Sequence, residues 1–421
     1  MTSRREFMGA SFAPLLQAAE TNPKIREARE AAIAVLKPSH KDLEHALELH
    51  SKSLVVESYG FAPRSAIDGD KMREAIEAGA NSLELEDLYT EMQLMRVADD
   101  PSQLQEYLGA WNASGVTCVL QNAGEEGTAP GRLLKRLAHF TYLTDKLRDY
   151  VSRAATPDDI EQAKKQGRHC LYLTGNGVPL SQEWNSGAEE LAYIRLFFQL
   201  GIRMMHLTYN RRNVLGDGCA EPANGGISDL GRAAIAEMNR AGVIVDVAHS
   251  GWRTSLEAAK ASSKPVVASH SGAVAVHRHI RSKPDDVIRA IADSGGYVGV
   301  YSVASFLGRG GDLNAMIDQI DYLVKRFGAG HVAIGTDIAY IPGRAQEENR
   351  KMGRSPKRRP RYEAFWPPGA LDSRSHPSLA WTNWPMFTVG MVQRGISDAD
   401  IQKILGGNVM RVARAVFPNA A

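Results

Sequence analysis

Two histidines in the middle of the chain have the types and spacing to do chemistry. His249 and His270 each end a short run of apolar, β-branched residues, and each is followed by Ser-Gly. A helical spacer separates the runs, and strands joined in this way lie parallel and adjacent, so both imidazoles reach one rim of a sheet. Neutral imidazole is a good zinc ligand, and the pair therefore predicts a metal site. The alternative is one capping histidine and one core histidine.

Two carboxylates occupy similar positions at the ends of other apolar runs. Asp337 ends the run Val332–Asp337, and Glu57 ends the run that begins at Leu54. A rim carboxylate can bind a metal ion or accept a proton from water. For Glu57 the alternative is a rim residue paired with a nearby arginine.

Eight such runs alternate with helical segments, which is the pattern of an α/β fold, the (β/α)8 TIM barrel. The active site of such a barrel lies at the C-terminal ends of its strands, where the four residues above are placed. Helical patterns at 20–50 and 379–415 predict extra N- and C-terminal helices, and long helical stretches are predicted at 71–97 and 131–153. The predicted strands are 54–58, 115–121, 169–174, 203–208, 243–249, 265–270, 296–302 and 332–337.

Composition narrows the class of protein and its partners. The chain has 421 residues, of which 43% are hydrophobic and 23% charged, as in ordinary soluble globular proteins. A net charge of +2 argues against a nucleic-acid partner, and no apolar run is long enough for a transmembrane segment. The three cysteines have no CxxC spacing and read as core or strand thiols.

The first and last parts of the chain suggest its organisation. Residues 1–20 contain Arg4-Arg5 in a twin-arginine pattern, which predicts export to the periplasm; the alternative is a frayed helix in a cytoplasmic protein. Residues 21–421 are expected to form a single barrel domain. A Pro- and Arg-rich insertion at about 342–377 includes Lys357–Arg361 and predicts a solvated rim loop or, alternatively, an anion contact.

Several motifs together resemble the renal or membrane dipeptidase family, a branch of the metal-dependent amidohydrolase barrels. The resemblance covers about residues 50–415. It implies an amidohydrolase-like barrel that hydrolyses dipeptides with two zinc ions bridged by a glutamate, and commonly a homodimer. The motifs are Val245–Ser250, Pro265–Ser271, Arg281–Asp286, His331–Asp337 and Ile404–Val412.

The resemblance also implies roles for individual residues. His249 and His270 match the two histidines of one zinc ion. Asp337 matches the acid that binds the other zinc ion and takes a proton from the attacking water. Arg281 matches the arginine that grips the substrate carboxylate.

At three places the chain departs from the family pattern. Tyr59 and Phe61 stand where the family has a His-x-Asp pair, and Gly175 stands at the bridging glutamate. Tyr209 replaces the histidine that polarises the substrate. We therefore expect one zinc ion rather than two, held by His249 and His270 with Glu57 or Asp337 as possible further ligands.

Three functions follow from these residues. The first is a metallohydrolase of a dipeptide or related small amide, with Asp337 as general base and Tyr209 donating a hydrogen bond to the substrate oxyanion. The second is a catalytically degenerate barrel that serves as a ligand-binding module. The third is a metal-free hydrolase or lyase using Tyr59, Tyr209 and Asp337.

Overall fold

Eight parallel strands form the sheet that positions the candidate residues. The computed structural model describes residues 22–124, 127–308, 310–353, 361–372 and 374–418. Each of the eight predicted runs overlaps one strand. In the order of their hydrogen bonding, the strands are β1 (Val56–Gly60), β2 (Cys118–Asn122), β4 (His169–Gly175), β5 (Met204–His206), β6 (Ile244–Asp246), β7 (Val266–Ala273), β9 (Val298–Val300) and β10 (Val332–Ile334).

The two edges of this sheet approach each other and nearly close a barrel. The Asp337 backbone N–H, just after β10, donates to the Tyr59 carbonyl of β1 at 3.4 Å. The Thr336 N–H donates to the Glu57 carboxylate at 3.1 Å. The predicted (β/α)8 barrel is therefore confirmed.

Two short strands were missed in the sequence. Val151–Arg153 (β3) pairs with β4, and Ser282–Lys283 (β8) pairs with β7, both outside the main strand order. The predicted helix 131–153 ends at Lys146, before β3 begins. Strands this short have no readable periodicity, and only pairing with a neighbour determines their conformation.

The predicted helix 71–97 is broken into two helices. Gly69–Glu77 and Ser82–Met95 are separated by a turn in which Gly79 has φ +86°. Asn81 then caps the second helix by accepting from the Leu83 and Glu84 N–H groups, and Glu84 returns a bond to the Asn81 N–H. A capping box of this kind marks a helix start that the apolar pattern alone does not show.

Helices cover the outside of the barrel and close one end. Thr156, Ser228 and Ser397 cap helices by accepting hydrogen bonds from backbone N–H groups. The helices are α1 (Pro23–Leu36), α2 (His40–Lys52), α3 (Gly69–Glu77), α4 (Ser82–Met95), α5 (Pro101–Ser114), α6 (Pro130–Lys146), α7 (Pro157–Lys165), α8 (Gly187–Gln199), α9 (Asp229–Ala241), α10 (Trp252–Ala261), α11 (Asp285–Asp293), α12 (Leu313–Phe327), α13 (Ala345–Met352), α14 (Trp384–Gln393), α15 (Asp398–Gln402) and α16 (Asn408–Val416).

The C-terminal helix contributes to the barrel core. Buried residues of α16, such as Val409 and Val412, belong to the same apolar cluster as Val56 of β1 and the buried thiols Cys118 and Cys170. A π-helical turn, Lys403–Gly407, leads into α16. The expected C-terminal helices are therefore part of the packing of the barrel itself.

The described part of the Pro- and Arg-rich insertion lies at the barrel rim. It contains α13, whose Glu348 accepts from the Gly69 N–H of α3 at 2.9 Å. The backbone carbonyl of Glu363 accepts from the Asn210 N–H at 3.1 Å. Residues 354–360, with most of the basic run, lie outside the described residues, as does the twin-arginine segment. Among the described helices, none has both the length and the apolar character needed to cross a bilayer.

We predict that Gly299→Ala destabilises the barrel by about 1–3 kcal/mol, the cost of overpacking a tight core. A Cβ at Gly299 would clash with the Ser269 carbonyl oxygen and the Ser58 hydroxyl. The matched control is Gly330→Ala, where an added Cβ meets no heavy atom within 4 Å. Urea unfolding measures both, and equal stability of the two variants would contradict the β7–β9 packing.

Candidate active site

The two predicted histidines meet at the C-terminal ends of neighbouring strands. His249 follows β6 and His270 lies in β7, with their Nε2 atoms 3.0 Å apart. His270 is fully buried and His249 is 2% exposed. The same end of the barrel carries Asp337, whose Oδ2 lies 4.0 Å from His270 Nε2. The structure thus brings together the three residues that the sequence placed on one rim.

Asp246 determines which nitrogen of His270 carries the proton. Its carboxylate accepts from the Ala248 and Ser269 N–H groups at 2.9 and 3.0 Å, and from the Ser269 hydroxyl. Since that hydroxyl donates to Asp246, its oxygen accepts from His270 Nδ1–H, 2.8 Å away. His270 Nε2 is then an unprotonated acceptor.

His249 is oriented in the same way from the other side. Its Nδ1 donates to Asn210 Oδ1 at 2.9 Å, and the Asn210 amide NH₂ donates to the Ala364 carbonyl at 3.4 Å. His249 Nε2 is therefore also an acceptor. Two lone pairs 3.0 Å apart repel unless a cation or a shared proton lies between them. This is the donor arrangement of a metal site.

A third histidine, which the sequence reasoning missed, lies beside this pair. His206 ends β5 opposite Asp246 of β6, and its Nε2 is 2.8 Å from Asp246 Oδ2. Neither ring nitrogen of His206 is aligned for a hydrogen bond with any described residue, although the side chain is fully buried. His206, Asp246 and His270 bring one potential ligand atom each within 4.8 Å of one another.

A signal for His206 was present in the sequence. Side chains two residues apart in a strand lie on one face, so His206 shares the inward face with Thr208, which was placed at the rim. The strand was assumed to end at Thr208, whereas β5 ends at His206. The error of two residues put His206 inside the strand rather than at its end.

Burial and nearby positive charge keep the imidazoles of His249 and His270 neutral. Burial lowers the pKa of His249 and His270 well below the usual histidine range, and the nearby Arg281 charge lowers both further. Burial alone would raise the pKa of Asp246, but His206 and the Ser269 hydrogen bonds bring it below its usual value. The site therefore offers the neutral imidazoles of His249 and His270 and the carboxylate of Asp246, the forms that bind metal ions.

Two tyrosines cover the histidines. The Tyr59 ring stacks on His270 with centroids 4.0 Å apart, and the Tyr209 ring stacks on His249 at 3.8 Å. The Tyr59 hydroxyl donates to Asn176 Oδ1 at 2.5 Å. The residues that stand where the family has histidines thus form a layer above the buried imidazoles.

Above this layer is a cavity of about 390 Å³. Tyr59, Tyr209 and Asp337 line it, whereas its lining does not include His249, His270 or Arg281. The other lining residues are Phe61, Arg64, Met72, Ser82, Leu85, Glu86, Tyr89, Thr90, Gln93, Asn122, Arg136, Asn176 and Met352.

Asp337 is held in a conformation that non-glycine residues rarely adopt. Its φ is +59°, and its side chain is 21% exposed. Left-handed backbone at a non-glycine residue costs about 1–3 kcal/mol and clusters at functional sites. The strained turn after β10 directs a carboxylate into the cavity.

Glu57 and Arg281 lie away from the cavity. Glu57 is the second residue of β1, which runs two residues beyond the predicted end, and its carboxylate accepts from Thr336 and Trp381. Burial raises the pKa of Glu57 to about 8, against the lowering effect of those donors. Arg281 is fully buried and donates to the Ala248 and His270 carbonyls at 3.4 and 3.0 Å.

The end of β4 presents an amide to the cavity. Gly175 ends the strand, and the next residue, Asn176, reaches the cavity lining. Phe61, two residues beyond Tyr59, packs edge-to-face against the Tyr59 ring, with the ring centroids 6.0 Å apart. Phenyl, phenol and amide groups thus stand here in place of carboxylate or imidazole ligands.

A family model described as membrane dipeptidase (peptidase family M19) matches residues 44–349. The chain belongs to this family. The match includes β1 to β10 and all the histidines of the cluster. The resemblance seen in the motifs is confirmed, and membership of this metallopeptidase family implies dependence on a metal ion.

Individual relatives agree with the family assignment. The dipeptidase tcpJ of Claviceps purpurea (strain 20.1) is 28% identical over 278 residues, 65% of this chain. The dipeptidase aclJ of Aspergillus oryzae (strain ATCC 42149 / RIB 40) is 30% identical over 225 residues, 52% of this chain. These matches span 57% and 46% of the relatives' own lengths, less than two thirds of each.

A solved structure is similar across the fold. An amidohydrolase from Pseudomonas aeruginosa superposes with a TM-score of 0.65 at 25% sequence identity. The superposition covers 88% of this chain and 99% of that one. The amidohydrolase-like barrel therefore accounts for nearly the whole described chain.

The donor set around His270 fits a metal ion. Both ring nitrogens of His206 are buried and are not aligned for a hydrogen bond with a described residue. The Nε2 atoms of His249 and His270 are also buried, and they face each other. Asp246 adds negative charge.

We predict that Tyr59→Ala makes His270 reactive toward diethyl pyrocarbonate in protein freed of metal, because removing the stacked ring opens the neutral imidazole to the cavity. Tyr59→Phe is the matched control, since it keeps the ring and loses only the hydroxyl bond to Asn176. Peptide mapping by mass spectrometry measures the modification. Equal labelling of His270 in wild type and Tyr59→Ala would show that the tyrosine does not cover it.

Proposed function

We propose that this protein is a dipeptidase-like metallohydrolase that cleaves a dipeptide or a related small amide with one bound zinc ion rather than two. The observation that carries the proposal is the pair of facing, unprotonated Nε2 atoms of His249 and His270 at the barrel rim. Family membership supports hydrolysis, and the donor set supports the single ion.

His270 is the central ligand in this proposal. It belongs both to the pair predicted from the sequence, with His249, and to the group formed with His206 and Asp246. Four protein groups within one buried cluster are enough for a tetrahedral zinc ion. Glu57 is occupied by Thr336 and Trp381, so of the two additional carboxylates considered in the sequence, Asp337 is the better placed.

The cavity above the cluster supports a small substrate. Its volume of about 390 Å³ is in the range that holds small-molecule ligands. A bound zinc ion supplies Lewis acidity toward an amide carbonyl. The Asp337 carboxylate accepts a proton as general base, and the Tyr209 hydroxyl donates a hydrogen bond to the developing oxyanion.

Export and assembly belong to the same proposal. The twin-arginine pattern at residues 3–8 supports a periplasmic location, reached by a route for folded proteins that have already bound their metal. A homodimer is proposed from the family resemblance. The role of Arg281 as the clamp of the substrate carboxylate also rests on the resemblance.

Metal content tests the ligand assignment. We expect about one zinc ion per wild-type chain and loss of most of it in His270→Ala, because His270 belongs to both ligand groups. His206→Ala and His249→Ala show which group is the main one. His40→Ala is the matched control, since His40 is exposed and far from the cluster in sequence. Elemental analysis that finds two ions per wild-type chain, or full occupancy in His270→Ala, would contradict the proposal.

The rate of dipeptide hydrolysis tests whether Asp337 is the general base. We expect Asp337→Asn to lower hydrolysis of L-alanyl-L-alanine by about 10²–10⁴-fold, the usual contribution of general acid–base catalysis. Asparagine keeps the shape of aspartate and readily adopts the positive φ at this position, so the loss reports the carboxylate. Chromatography of released alanine, with zinc added, measures the rates. Unchanged turnover in Asp337→Asn would exclude Asp337 as the base.

The stacked tyrosines favour a second candidate, a ligand-binding module. Tyr59 and Tyr209 separate the imidazoles from the cavity, so a ligand can occupy the cavity without contacting the histidines. Dipeptide binding without turnover, in protein that carries zinc, would support this candidate. Turnover without bound metal would instead support the third function, a metal-free hydrolase or lyase that uses Tyr59, Tyr209 and Asp337.

A further inference from the structure

Residues 361–372 form a strap over the C-terminal end of the barrel. At the loop after β5, the Asn210 N–H donates to the Glu363 carbonyl at 3.1 Å. In the same loop, Arg211 Nε donates to the Phe365 carbonyl, also at 3.1 Å. Backbone carbonyls of the strap therefore accept hydrogen bonds from two consecutive residues that follow β5.

The other half of the strap lies on the loops after β7 and β9. His279 Nε2 donates to the Ala370 carbonyl at 2.8 Å. The Trp366 ring packs against the Phe306 ring, with centroids 5.6 Å apart, and Phe306 in turn stacks on His279, with centroids 4.5 Å apart. The strap thus joins loops that follow three main strands, β5, β7 and β9.

The strap has little buried surface. None of residues 361–372 is buried, and the side chains of Tyr362, Phe365 and Leu371 are 55%, 41% and 49% exposed. Segments with few buried apolar contacts open at a small cost in free energy while the rest of the fold stays intact. The strap can therefore leave the barrel without unfolding it.

The docked strap determines the direction of the Asn210 side-chain amide. A carbonyl only accepts hydrogen bonds, so the Ala364 carbonyl, 3.4 Å away, faces the amide NH₂. Asn210 Oδ1 is then left to accept from His249 Nδ1 at 2.9 Å, and the Cys219 thiol is a second donor to it at 3.6 Å. With the amide reversed, its NH₂ would donate to His249 Nδ1, and the single ring proton would move to Nε2. That tautomer has no lone pair at Nε2 for a metal ion.

We propose that the strap is a positioning element of the metal cluster: in its docked position it holds His249 in the tautomer that binds zinc, and it is itself held on the barrel more firmly when zinc is bound. Asn210 is the positioning residue, because it acts through His249. The inference rests on the proposed function for the role of His249 as a ligand. Linkage is reciprocal, so the factor by which docking raises zinc affinity equals the factor by which zinc stabilises docking.

Hydrogen exchange measures the effect of zinc on the strap. The Asn210 amide N–H is the reporter, since its hydrogen bond ends on Glu363 of the strap. In protein first freed of metal, we expect zinc chloride to slow its exchange about 5–100-fold, the usual size of a coupling between two sites. The control is the Leu180 N–H, which donates to the Thr128 carbonyl at 2.9 Å between loops that follow β4 and β2. Mass spectrometry with fragmentation resolves both amides, and exchange at Leu180 should not change.

Zinc affinity measures the reverse effect, that of the strap on the metal cluster. Trp366→Ala removes the ring contact with Phe306 and so weakens docking of the strap. We expect it to weaken zinc binding about 3–10-fold, since it lowers the population of the docked state. Asn210→Ala should weaken zinc binding about 10–100-fold, the usual loss when a partner that orients a ligand is removed. Competition with a chromophoric zinc chelator measures both affinities.

Two variants of the strap serve as matched controls. Trp366→Phe keeps an aromatic ring against Phe306, and Leu371→Ala shortens an exposed apolar side chain of the same segment. Both should keep wild-type zinc affinity to within about twofold, as surface substitutions usually do. Thermal unfolding of each variant shows whether the fold is intact, and either Trp366→Ala or Asn210→Ala suffices if the other unfolds.

The outcomes separate the strap from the proposed function. Zinc that binds without slowing exchange at Asn210 overturns the inference, as does wild-type zinc affinity in both Trp366→Ala and Asn210→Ala. A wild-type protein that binds no zinc contradicts the inference and the single-ion proposal together. Coupling between zinc and the strap, without hydrolysis of L-alanyl-L-alanine, supports the inference and contradicts the peptidase proposal. Hydrolysis by zinc-loaded protein whose strap shows no coupling supports the peptidase proposal alone.

Discussion

The Asp246 carboxylate is the interaction on which the site depends. It accepts the Ser269 hydroxyl proton, which makes that oxygen the acceptor for His270 Nδ1–H and leaves His270 Nε2 unprotonated. The same carboxylate lies 2.8 Å from His206 Nε2. Since β5, β6 and β7 are hydrogen-bonded neighbours, one buried acid orients groups from three consecutive main strands. A carboxylate that orients a histidine through a hydrogen-bonded neighbour sets the tautomer of that histidine and its strength as a ligand.

The sequence predicted the parts of the site that follow from strand position. His249, His270 and Asp337 were found because apolar runs end near them and parallel strands end at one rim. His206 and the two short strands were not found, since they depend on where pairing stops, which no local pattern reveals. The stacking of Tyr59 on His270 could not be read either, because it joins residues more than two hundred positions apart.

Tyr59 and Tyr209 change access to the histidines as well as the set of possible metal ligands. Aromatic rings at 3.8–4.0 Å from the imidazoles replace polar groups that would otherwise face the cavity. Burial under these rings depresses the pKa of both histidines and keeps them neutral at lower pH than exposed imidazoles. The arrangement therefore preserves the metal-binding form of the histidines while it separates them from the cavity.

The charges near the cluster also support the proposal of one ion rather than two. Asp246 and Asp337 supply two negative charges, whereas Glu57, with a pKa of about 8, is mostly protonated at neutral pH. Arg281 is positive, and burial lowers the pKa of Lys283 to about 7, so that it carries part of a charge. One divalent ion already balances the charges of the two carboxylates. The proposed single ion agrees with these charges, since a second ion would add two further positive charges to a buried region, which burial makes costly.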